Sequence, residues 1–386
     1  MNNFDYSIPT LIHFGKGAIS HLTEIAAYGK KVLLVYGGGS IKRSGLYDTA
    51  MALLKGAGVA VCELGGVEPN PRIESVRKGV QICREEGVDA VLAVGGGSAI
   101  DCAKVIAAGT QYAGDAWDLV LDSGLIKGSL PVFSVLTLSA TGSEMDPFAV
   151  ISDLGKKQKL AVASAHVTPK MSILDPTYTF TVPKNQTAAG TADIISHTFE
   201  NYFTNVTGAY VQARLAEALL KTCFHYGPIA LEKPDDYEAR ANLMWASSLA
   251  INGLIKYGAE VDWTVHPMEH ELSAFYDITH GEGLAILTPH WMRKVLNERT
   301  IEQFVQYGIN VWGIDATLSK EAIAAQAIDR TAAFFKEMGL PTTLGEVGIS
   351  DETNFRTMAE NCQPALKGAL VNLSVEDVVD IYRAAK

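Results

Sequence analysis

The sequence predicts two domains, an open α/β domain over residues 1–183 and an all-helical domain over residues 184–386. In the first half, continuous apolar runs alternate with helical patterns and glycine turns, as a parallel sheet covered on both faces requires. The second half is rich in Ala, Leu, Glu and Met and has few β-branched runs. A length of 386 residues suits two domains that each bury a core.

Strands are predicted in the first domain wherever a continuous apolar run ends at a turn, and helices where the pattern becomes periodic. The predicted strands are 31–36, 59–64, 89–94, 131–137 and 171–174, and the predicted helices are 46–54, 73–86 and 99–108. This alternation predicts an α/β domain built on a parallel sheet.

The second domain is predicted to be a series of helices separated by helix breakers. The predicted helices are 186–204, 208–231, 235–256, 262–275, 283–296, 300–311, 319–338 and 352–361. The expected interruptions are Gly258, Gly281, Pro289 and Gly313.

Composition excludes several classes of protein. A formal net charge of −11 argues against nucleic acid and anionic membrane surfaces as partners. No apolar segment approaches the length that crosses a bilayer, and no secretory signal is visible. The five cysteines form no C-x-x-C pair, so they are expected to be inert thiols in a reducing compartment. A cytoplasmic protein is expected.

Two glycine turns follow predicted strands and precede helices, at 37–40 (Gly-Gly-Gly-Ser) and 95–98 (Gly-Gly-Gly-Ser). Glycine permits close backbone approach, and the free N–H groups of a helix N-terminus favour phosphate. One such turn is more often structural, but two together favour a bound nucleotide. Neither turn has the G-x-G-x-x-G pattern of an ordinary Rossmann unit.

The helix after the second turn carries Asp101 and Lys104. In the structural interpretation, the two residues form an i,i+3 ion pair on a capped helix. In the functional interpretation, Asp101 is a polar anchor for the cofactor.

The charges near the first turn bear on which nucleotide is bound. No acid occurs over residues 36–41, and Lys42 and Arg43 follow, which favours NADP(H). Glu63 ends the next strand, where a standard Rossmann unit places the carboxylate that binds the ribose of NAD, so Glu63 is evidence for NAD.

A histidine-rich pattern in the second domain predicts a divalent metal site. Asp193 and His197 lie one helical turn apart, His266 and His270 repeat that spacing, and His280 follows. Aspartate with imidazoles suits Fe²⁺ or Zn²⁺ better than Mg²⁺ or Ca²⁺. These residues exceed a tetrahedral set, so one histidine should lie behind the ligands or act in catalysis, and spacing alone does not say whether it is His266 or His270. Capping or packing histidines are the alternative.

Several segments together resemble the iron-containing (group III) alcohol dehydrogenase family, in its branch of NADPH-dependent butanol dehydrogenases and aldehyde reductases. The resemblance extends over essentially the whole chain. The residues that carry it are Phe14–Gly17, Thr141–Glu144, Ser172–Asp175, Pro183, Ala188, Gly190, Asp193–Ile195, Glu200, His266–His270 and His280–Gly283.

The resemblance implies Asp193, His197, His266 and His280 as metal ligands and His270 as the catalytic candidate near the substrate. It also implies a set of residues around NADP(H). That set is Gly37, Gly38, Gly39, Ser40, Asn70, Gly95, Gly96, Gly97, Ser98, Asp101, Thr137, Leu138, Thr141, Ser143 and Lys159.

The implied activity is hydride transfer between NADP(H) and small aldehydes or alcohols such as butanal and butanol, with the metal polarising the carbonyl group. Phe148, Trp263 and Phe275 are candidate walls for a small apolar substrate. The apolar segment 8–14 is a candidate for pairing strands across a homodimer.

Three alternatives remain at this point. The chain resembles, more weakly, two other groups with the same two-domain plan, the zinc-dependent, NAD-using glycerol dehydrogenases and the dehydroquinate synthases. This resemblance implies a dehydroquinate synthase-like first domain. A lyase acting on a phosphorylated sugar acid would need a basic pocket, for which the sequence offers Lys156, Lys157 and Lys159. A nucleotide-binding regulator without catalysis would require that no metal binds.

Overall fold

The computed structural model describes residues 1–366 and 370–386, and it divides into two compact units. The first unit is Ser7–Val182. The second unit is Pro183–Lys386 together with Met1–Tyr6. The architecture confirms the predicted fold class, an α/β unit followed by a helical unit.

The first six residues belong to the helical unit, although the sequence places them in the α/β domain. The Met1 ammonium group donates to the Thr207 carbonyl oxygen at 2.7 Å. The Asn2 amide donates to the Gly258 carbonyl oxygen at 2.8 Å. These contacts join residues far apart in the chain, which local sequence patterns do not reveal.

The α/β unit is built around a parallel sheet. Its strands are β1 (Leu11–Phe14), β2 (Lys31–Val35), β3 (Ala60–Leu64), β4 (Ala90–Gly95), β5 (Val132–Leu136), β6 (Phe148–Asp153), β7 (Gln158–Ala163) and β8 (Met171–Leu174). Its α-helices are α1 (Ser40–Arg43), α2 (Leu46–Gly56), α3 (Ile73–Glu86), α4 (Gly97–Gln111) and α5 (Ala116–Leu121). Six strands pair in the order β1-β8-β5-β4-β2-β3, and every pairing among them is parallel.

The strand order places the two glycine turns side by side. β2 and β4 are direct neighbours, with Val35 opposite Ala93. β3, the next strand in sequence, pairs with the outer edge of β2, whereas β4 pairs with its inner edge. The direction in which the chain adds strands to the sheet therefore reverses between β3 and β4. Ligands of open α/β sheets bind beyond the carboxyl ends of the strands at such a reversal. The turns after β2 and β4 therefore flank the expected nucleotide position.

Besides the short helices α1 and α5, two further features of this unit were not predicted. β6 and β7 form an antiparallel hairpin outside the main sheet. β1 pairs in parallel with β8, with Leu11 opposite Met171, so one edge of the strand that the sequence offered for a dimer is used within the chain.

The helical unit contains α6 (Lys184–Tyr202), α7 (Tyr210–Glu232), α8 (Tyr237–Ile251), α9 (Val265–Tyr276), α10 (His280–Val295), α11 (Ile301–Asn310), α12 (Lys320–Glu337), α13 (Phe355–Cys362) and α14 (Val375–Ala384). The eight predicted helices correspond to α6–α13, and α14 was not predicted. In the described residues of this unit no strand occurs.

Helix α6 is buried along most of its length, from Thr187 to Tyr202. It packs against α7, α8 and α10. A helix enclosed on all sides is expected to be apolar throughout, so the polar residues that α6 buries need partners or a function.

The expected breaks at Gly281 and Pro289 are wrong, because both residues lie inside α10. A methyl group added at Gly281 would lie 2.0 Å from the Ala189 carbonyl oxygen of α6. Glycine therefore serves close helix packing here rather than a chain reversal. Pro289 is buried inside α10. A proline removes one backbone hydrogen bond from a helix, and the packing around α10 compensates for that loss.

Candidate metal centre and nucleotide turns

Asp193 and His197 meet on α6, one helical turn apart, as the sequence predicts. Both side chains are buried, with residue exposures of 3% and 5%. The Asp193 Oδ1 atom lies 3.5 Å from the His197 Nδ1 atom.

Helices α9 and α10 bring two more imidazoles to the same carboxylate oxygen. Nε2 of His266 lies 3.5 Å from Asp193 Oδ1, and Nε2 of His280 lies 3.7 Å from it. One donor atom each from Asp193, His266 and His280 lies within 4.8 Å of the other two. Ligands around a tetrahedral ion with bonds of about 2.1 Å are separated by about 3.4 Å. The observed spacing therefore suits a metal ion better than direct hydrogen bonds.

Several of these atoms have no hydrogen-bond partner among the described residues. They are Asp193 Oδ1, His197 Nδ1 and His266 Nε2, and all three are buried. An isolated buried polar atom is costly, and native proteins rarely leave one unpaired. The two imidazole nitrogens each lie 3.5 Å from the third atom, Asp193 Oδ1, which indicates a shared cation, so the residues present fit a divalent metal ion.

In two of the imidazoles, the ring nitrogen that points away from Asp193 is bound by a buried carboxylate. Nδ1 of His266 hydrogen-bonds to Glu200, and Nδ1 of His280 hydrogen-bonds to Glu269. Both glutamates are fully buried. Because the carboxylates accept a proton-bearing Nδ1, Nε2 of each ring faces Asp193, the orientation found in other histidine metal ligands. A bound metal ion would displace the proton that the carboxylates favour on Nε2 of His266.

Glu200 also sets the position of the helix that carries His266. Its Oε1 accepts hydrogen bonds from the backbone amides of Thr264, Val265 and His266, at 2.9, 2.6 and 3.0 Å. One carboxylate thus caps α9 and orients the first histidine of that helix. Sequence reasoning gave Glu200 no role, although it lies seven residues after Asp193, on the same helical face.

The electrostatics favour a positive charge at the centre of the pocket. Burial opposes a charged His266, yet the Glu200 and Asp193 carboxylates raise its pKa to about 10. Burial alone would raise the pKa of Asp193, but His197, His266 and His280 hold it well below its usual range. Burial lowers the pKa of His197 to about 4, which keeps that imidazole neutral, as ligation requires.

His197 and His270 lie beside this three-donor group. The His197 ring stacks on His266 with centroids 4.5 Å apart. The His270 ring is 5.5 Å from His280, and it forms a second close group with Glu269 and His280. His270 is partly exposed, so it lies at the rim of the cluster.

Of the candidate wall residues, Trp263 lies beside the histidines. Its ring is 5.2 Å from His266 and 6.1 Å from His197, edge-on in both cases. Phe275 is partly buried against the core of the helical unit, and Phe148 begins β6 in the other unit.

The turn at 95–98 is packed closely and leaves amides available. A methyl group at Gly97 would lie 2.4 Å from the Thr141 Oγ1 atom, and one at Gly96 would lie 3.1 Å from the Leu138 Cβ atom. Gly96 caps α4 without a side-chain hydrogen bond. The N-terminal amides of α4 can therefore receive an anion.

Asp101 is engaged within the protein. It accepts from the Ser143 hydroxyl at 2.6 Å and from the Val150 amide at 2.8 Å. Burial raises its pKa to about 6, although Lys104 and Ser143 act in the opposite direction. Asp101 therefore fixes the segment that contains Ser143, rather than presenting free oxygens.

Of the two alternatives for Asp101 and Lys104, the ion pair between them is not formed. The Lys104 ammonium group is fully buried and binds Asp146 at 2.8 Å. It also donates to the Phe148 carbonyl oxygen at 2.7 Å. These partners lie some forty residues downstream, beyond the reach of helical spacing rules.

At the turn after β2, Glu63 is occupied by neighbouring side chains. It accepts from the Tyr36 hydroxyl at 2.9 Å and from the Tyr47 hydroxyl at 2.5 Å. Lys42 lies 3.7 Å from the same carboxylate and over both tyrosine rings. The Tyr47 hydrogen bond, with smaller effects of Tyr36 and Lys42, outweighs burial and lowers the pKa of Glu63. Gly39, with φ of 91°, begins α1.

The segment that follows Asn70 contacts β6, whose partner strand carries Lys159. The Ser152 amide donates to the Pro71 carbonyl oxygen at 2.9 Å, and Ser152 pairs with Lys159 across the hairpin. Lys159 is buried, with 4% exposure, and Asn70 has a left-handed φ of 52°. Elsewhere, the Thr137 amide donates to the Gly95 carbonyl oxygen at 3.0 Å, which joins the strand ends beside the second turn.

A doubly wound α/β unit with glycine turns, followed by a helical unit with a buried imidazole–carboxylate cluster, fits the class of metal-dependent enzymes that use a nucleotide. The chain belongs to the iron-containing alcohol dehydrogenase family. Residues 9–176 match the model of iron-containing alcohol dehydrogenases, and residues 187–386 match the C-terminal domain of that family.

Curated relatives cover nearly the whole chain. It is 60% identical to the NADH-dependent butanol dehydrogenase A of Clostridium acetobutylicum, over 99% of each protein. It is 44% identical to the NADPH-dependent aldehyde reductase YqhD of Escherichia coli, over 90% of each. A crystal structure of NADH-dependent butanol dehydrogenase A from Thermotoga maritima superposes with a TM-score of 0.95 at 40% identity, over 100% of this chain and 99% of that one.

These comparisons confirm the family, the fold class and the reaction class inferred from sequence. The protein is an alcohol dehydrogenase, an oxidoreductase of alcohols and aldehydes, and its family implies a divalent metal ion and a nicotinamide cofactor. The polyol dehydrogenase and lyase alternatives are not favoured. In the described part of the chain, no helix is long and apolar enough to cross a membrane.

Proposed function

We propose that the chain transfers hydride between NADP(H) and small primary aldehydes or alcohols, such as butanal and butanol, with Fe²⁺ or Zn²⁺ held by Asp193, His197, His266 and His280. The observation that carries this proposal is the set of buried donor atoms without partners around Asp193 Oδ1. A divalent ion bound there supplies Lewis-acid polarisation of a carbonyl group.

The chain's own residues perform the remaining tasks. Glu200 and Glu269 hold His266 and His280 in the tautomer that presents Nε2. Trp263 excludes water from one side of the histidine cluster.

His270 is the proposed proton-relay residue. It lies at the partly exposed rim, 5.5 Å from the His280 ring. An imidazole can accept a proton at one ring nitrogen and donate one at the other, so His270 can pass a proton towards the substrate oxygen.

The proposed dinucleotide position is at the reversal of the sheet. The uncapped amides of α4 face the pyrophosphate, and Gly96 and Gly97 leave room for its approach. Lys159 adds a buried positive charge on the neighbouring hairpin. Asp101 and Ser143 act by positioning the adjacent segment.

The proposed preference for NADP(H) is supported by the state of Glu63. Its oxygens are bound by two tyrosine hydroxyls, and Lys42 compensates its charge, so it neither binds a ribose diol nor opposes a 2′-phosphate strongly. The turn over 37–40 carries no acid. One of the relatives is named as NADH-dependent and another as NADPH-dependent, so rates with the two cofactors are the measurement that decides between them.

The direct test combines metal analysis with rates for unbranched aldehydes of increasing length. We expect stoichiometric Fe or Zn, highest efficiency on short apolar aldehydes, and faster reduction with NADPH than with NADH. A strong NADH preference would contradict the assignment based on residues 37–40.

The metal assignment has its own test. His280→Ala should lose metal and aldehyde reduction together, whereas His225→Ala, an exposed histidine on α7, should retain both. An active His280→Ala enzyme with normal metal content would show that the ligand set is wrong.

We also propose a homodimer in a reducing, cytoplasmic setting. β1 is an edge strand of the sheet, and Leu11 and Phe14 on it are exposed by 51% and 42%. All five cysteines are free thiols. Light scattering during gel filtration tests the dimer, and a monomer at micromolar concentration would refute it.

A further inference from the structure

A second group of metal-ligating side chains lies in the α/β unit. His13 belongs to the edge strand β1, and His21 and Glu24 belong to the 3-10 helix Ala18–Ala27 that follows it. In a 3-10 helix, side chains three residues apart lie one above the other, so His21 and Glu24 share a face. The strand and the helix therefore bring three possible ligands close together.

The distances within this group are short. The His21 Nδ1 atom is 2.7 Å from one Glu24 oxygen, and the His13 Nε2 atom is 3.5 Å from the other. The two imidazole rings stack with centroids 3.7 Å apart and planes within 7°. One donor atom from each residue lies within 4.8 Å of the other two.

One atom of the group is left without a hydrogen bond. His13 Nε2 is buried and has no hydrogen-bond partner among the described residues, although the side chain as a whole is 16% exposed. Neighbouring carboxylate and imidazole groups face that atom, and a cation between them would satisfy all three. The same signature, a buried donor atom beside a carboxylate, marks the Asp193 cluster in the other unit.

We propose that His13, His21 and Glu24 form a second binding site for a divalent transition-metal ion. Two imidazoles and one carboxylate suit Zn²⁺ and its neighbours, with water completing the coordination, and do not suit Mg²⁺ or Ca²⁺. Parallel stacked rings do not aim their lone pairs at one point, so binding requires one ring to turn. His21, with 46% of its side chain exposed, is free to do so.

The expected effect of the ion is structural. It would tie the edge strand to the following helix, and an ion that binds the folded state alone stabilises that state. The site takes no part in hydride transfer and does not depend on the proposed function.

The test uses the metal-loaded enzyme as purified. After equilibration with Zn²⁺ and removal of unbound ion, metal analysis should show one equivalent beyond the resident metal. His21→Gln and Glu24→Gln should each lower the affinity for this additional zinc at least about tenfold. His166→Gln, an exposed histidine of the same unit outside the cluster, serves as the matched control and should bind like the wild type.

Thermal unfolding gives an independent readout. Zn²⁺ should raise the Tm of the wild type and of His166→Gln, but not that of His21→Gln. Equal zinc uptake by the wild type and His21→Gln would overturn the proposal, and so would the absence of any additional zinc in the wild type.

Discussion

In the helical unit, the candidate metal centre contains three buried atoms without a hydrogen-bond partner among the described residues, Asp193 Oδ1, His197 Nδ1 and His266 Nε2. The nucleotide turns of the α/β unit instead adjoin polar groups that hydrogen-bond to one another. Asp101, Lys104 and Glu63 have partners at 2.5–2.9 Å.

The difference reflects what each ligand needs. A metal ion needs lone pairs held in place, and buried carboxylates such as Glu200 provide the hold. A dinucleotide needs room and backbone amides, which glycine supplies by lacking a side chain. The first site should therefore fail when side chains are removed, and the second when side chains are added.

The largest effect is expected from removing a ligand. His266→Ala should abolish stoichiometric metal and lower kcat/KM at least about a thousandfold, because the metal supplies several kcal/mol of transition-state stabilisation. Metal analysis and aldehyde reduction measure both effects. Full activity without bound metal would contradict the proposed metal dependence.

A smaller effect is expected from the carboxylate behind a ligand. Glu269→Gln keeps the shape of the side chain but weakens the hydrogen bond to His280, so metal affinity should fall about tenfold to a hundredfold. Competition with a chelator measures this affinity. Glu298→Gln, an exposed glutamate, is the control. Unchanged affinity would mean that Glu269 only fills space.

In the α/β unit, the corresponding change is an addition. Gly97→Ala places a methyl group 2.4 Å from Thr141 Oγ1, so the turn must shift. A strain of about 1.4 kcal/mol corresponds to a tenfold rise in KM for the dinucleotide, with metal content unchanged. Gly56→Ala, where an added methyl meets nothing within 4 Å, should leave KM as it is. Loss of metal in Gly97→Ala would contradict the separation of the two sites.

The smallest effect concerns Glu271, a buried carboxylate on α9 that accepts a hydrogen bond from Asn361. Burial raises the pKa of Glu271 to about 7, although a hydrogen bond from Asn361 lowers it. The neutral form is favoured on folding, so the stability contributed by Glu271 is complete below about pH 4.5 and is lost as pH rises through 7. Glu271→Gln should raise the Tm by a few degrees at pH 8 and by little at pH 4. A Tm difference independent of pH would refute this.

Local patterns predicted much of the fold. The apolar periodicity of residues 73–86 predicted α3 with its observed bounds, and the apolar run before Gly95 predicted β4. The hairpin of β6 and β7 escaped prediction because its turn is charged and its strands do not belong to the main sheet. The contact of Lys104 with Asp146 was not predicted because it is set by tertiary packing.

For the candidate site as well, local spacing was predictable and tertiary contacts were not. Spacing on one helix brought Asp193 and His197 together, and the structure places His266 and His280 beside them. The roles of Glu200 and Glu269 were missed because a carboxylate that orients an imidazole has no signature of its own in sequence.

The contact between α6 and α10 at Gly281 determines when the protein can acquire its metal. Gly281 directly follows His280 and abuts Ala189, one helical turn before Asp193. These helices are distant in sequence, so the pocket does not exist until they dock. During refolding, the absorbance of a coloured ion such as Co²⁺ would change when the ion enters the pocket, and this change would report the docking of the two helices. Metal binding would then distinguish the folded enzyme from the nascent chain.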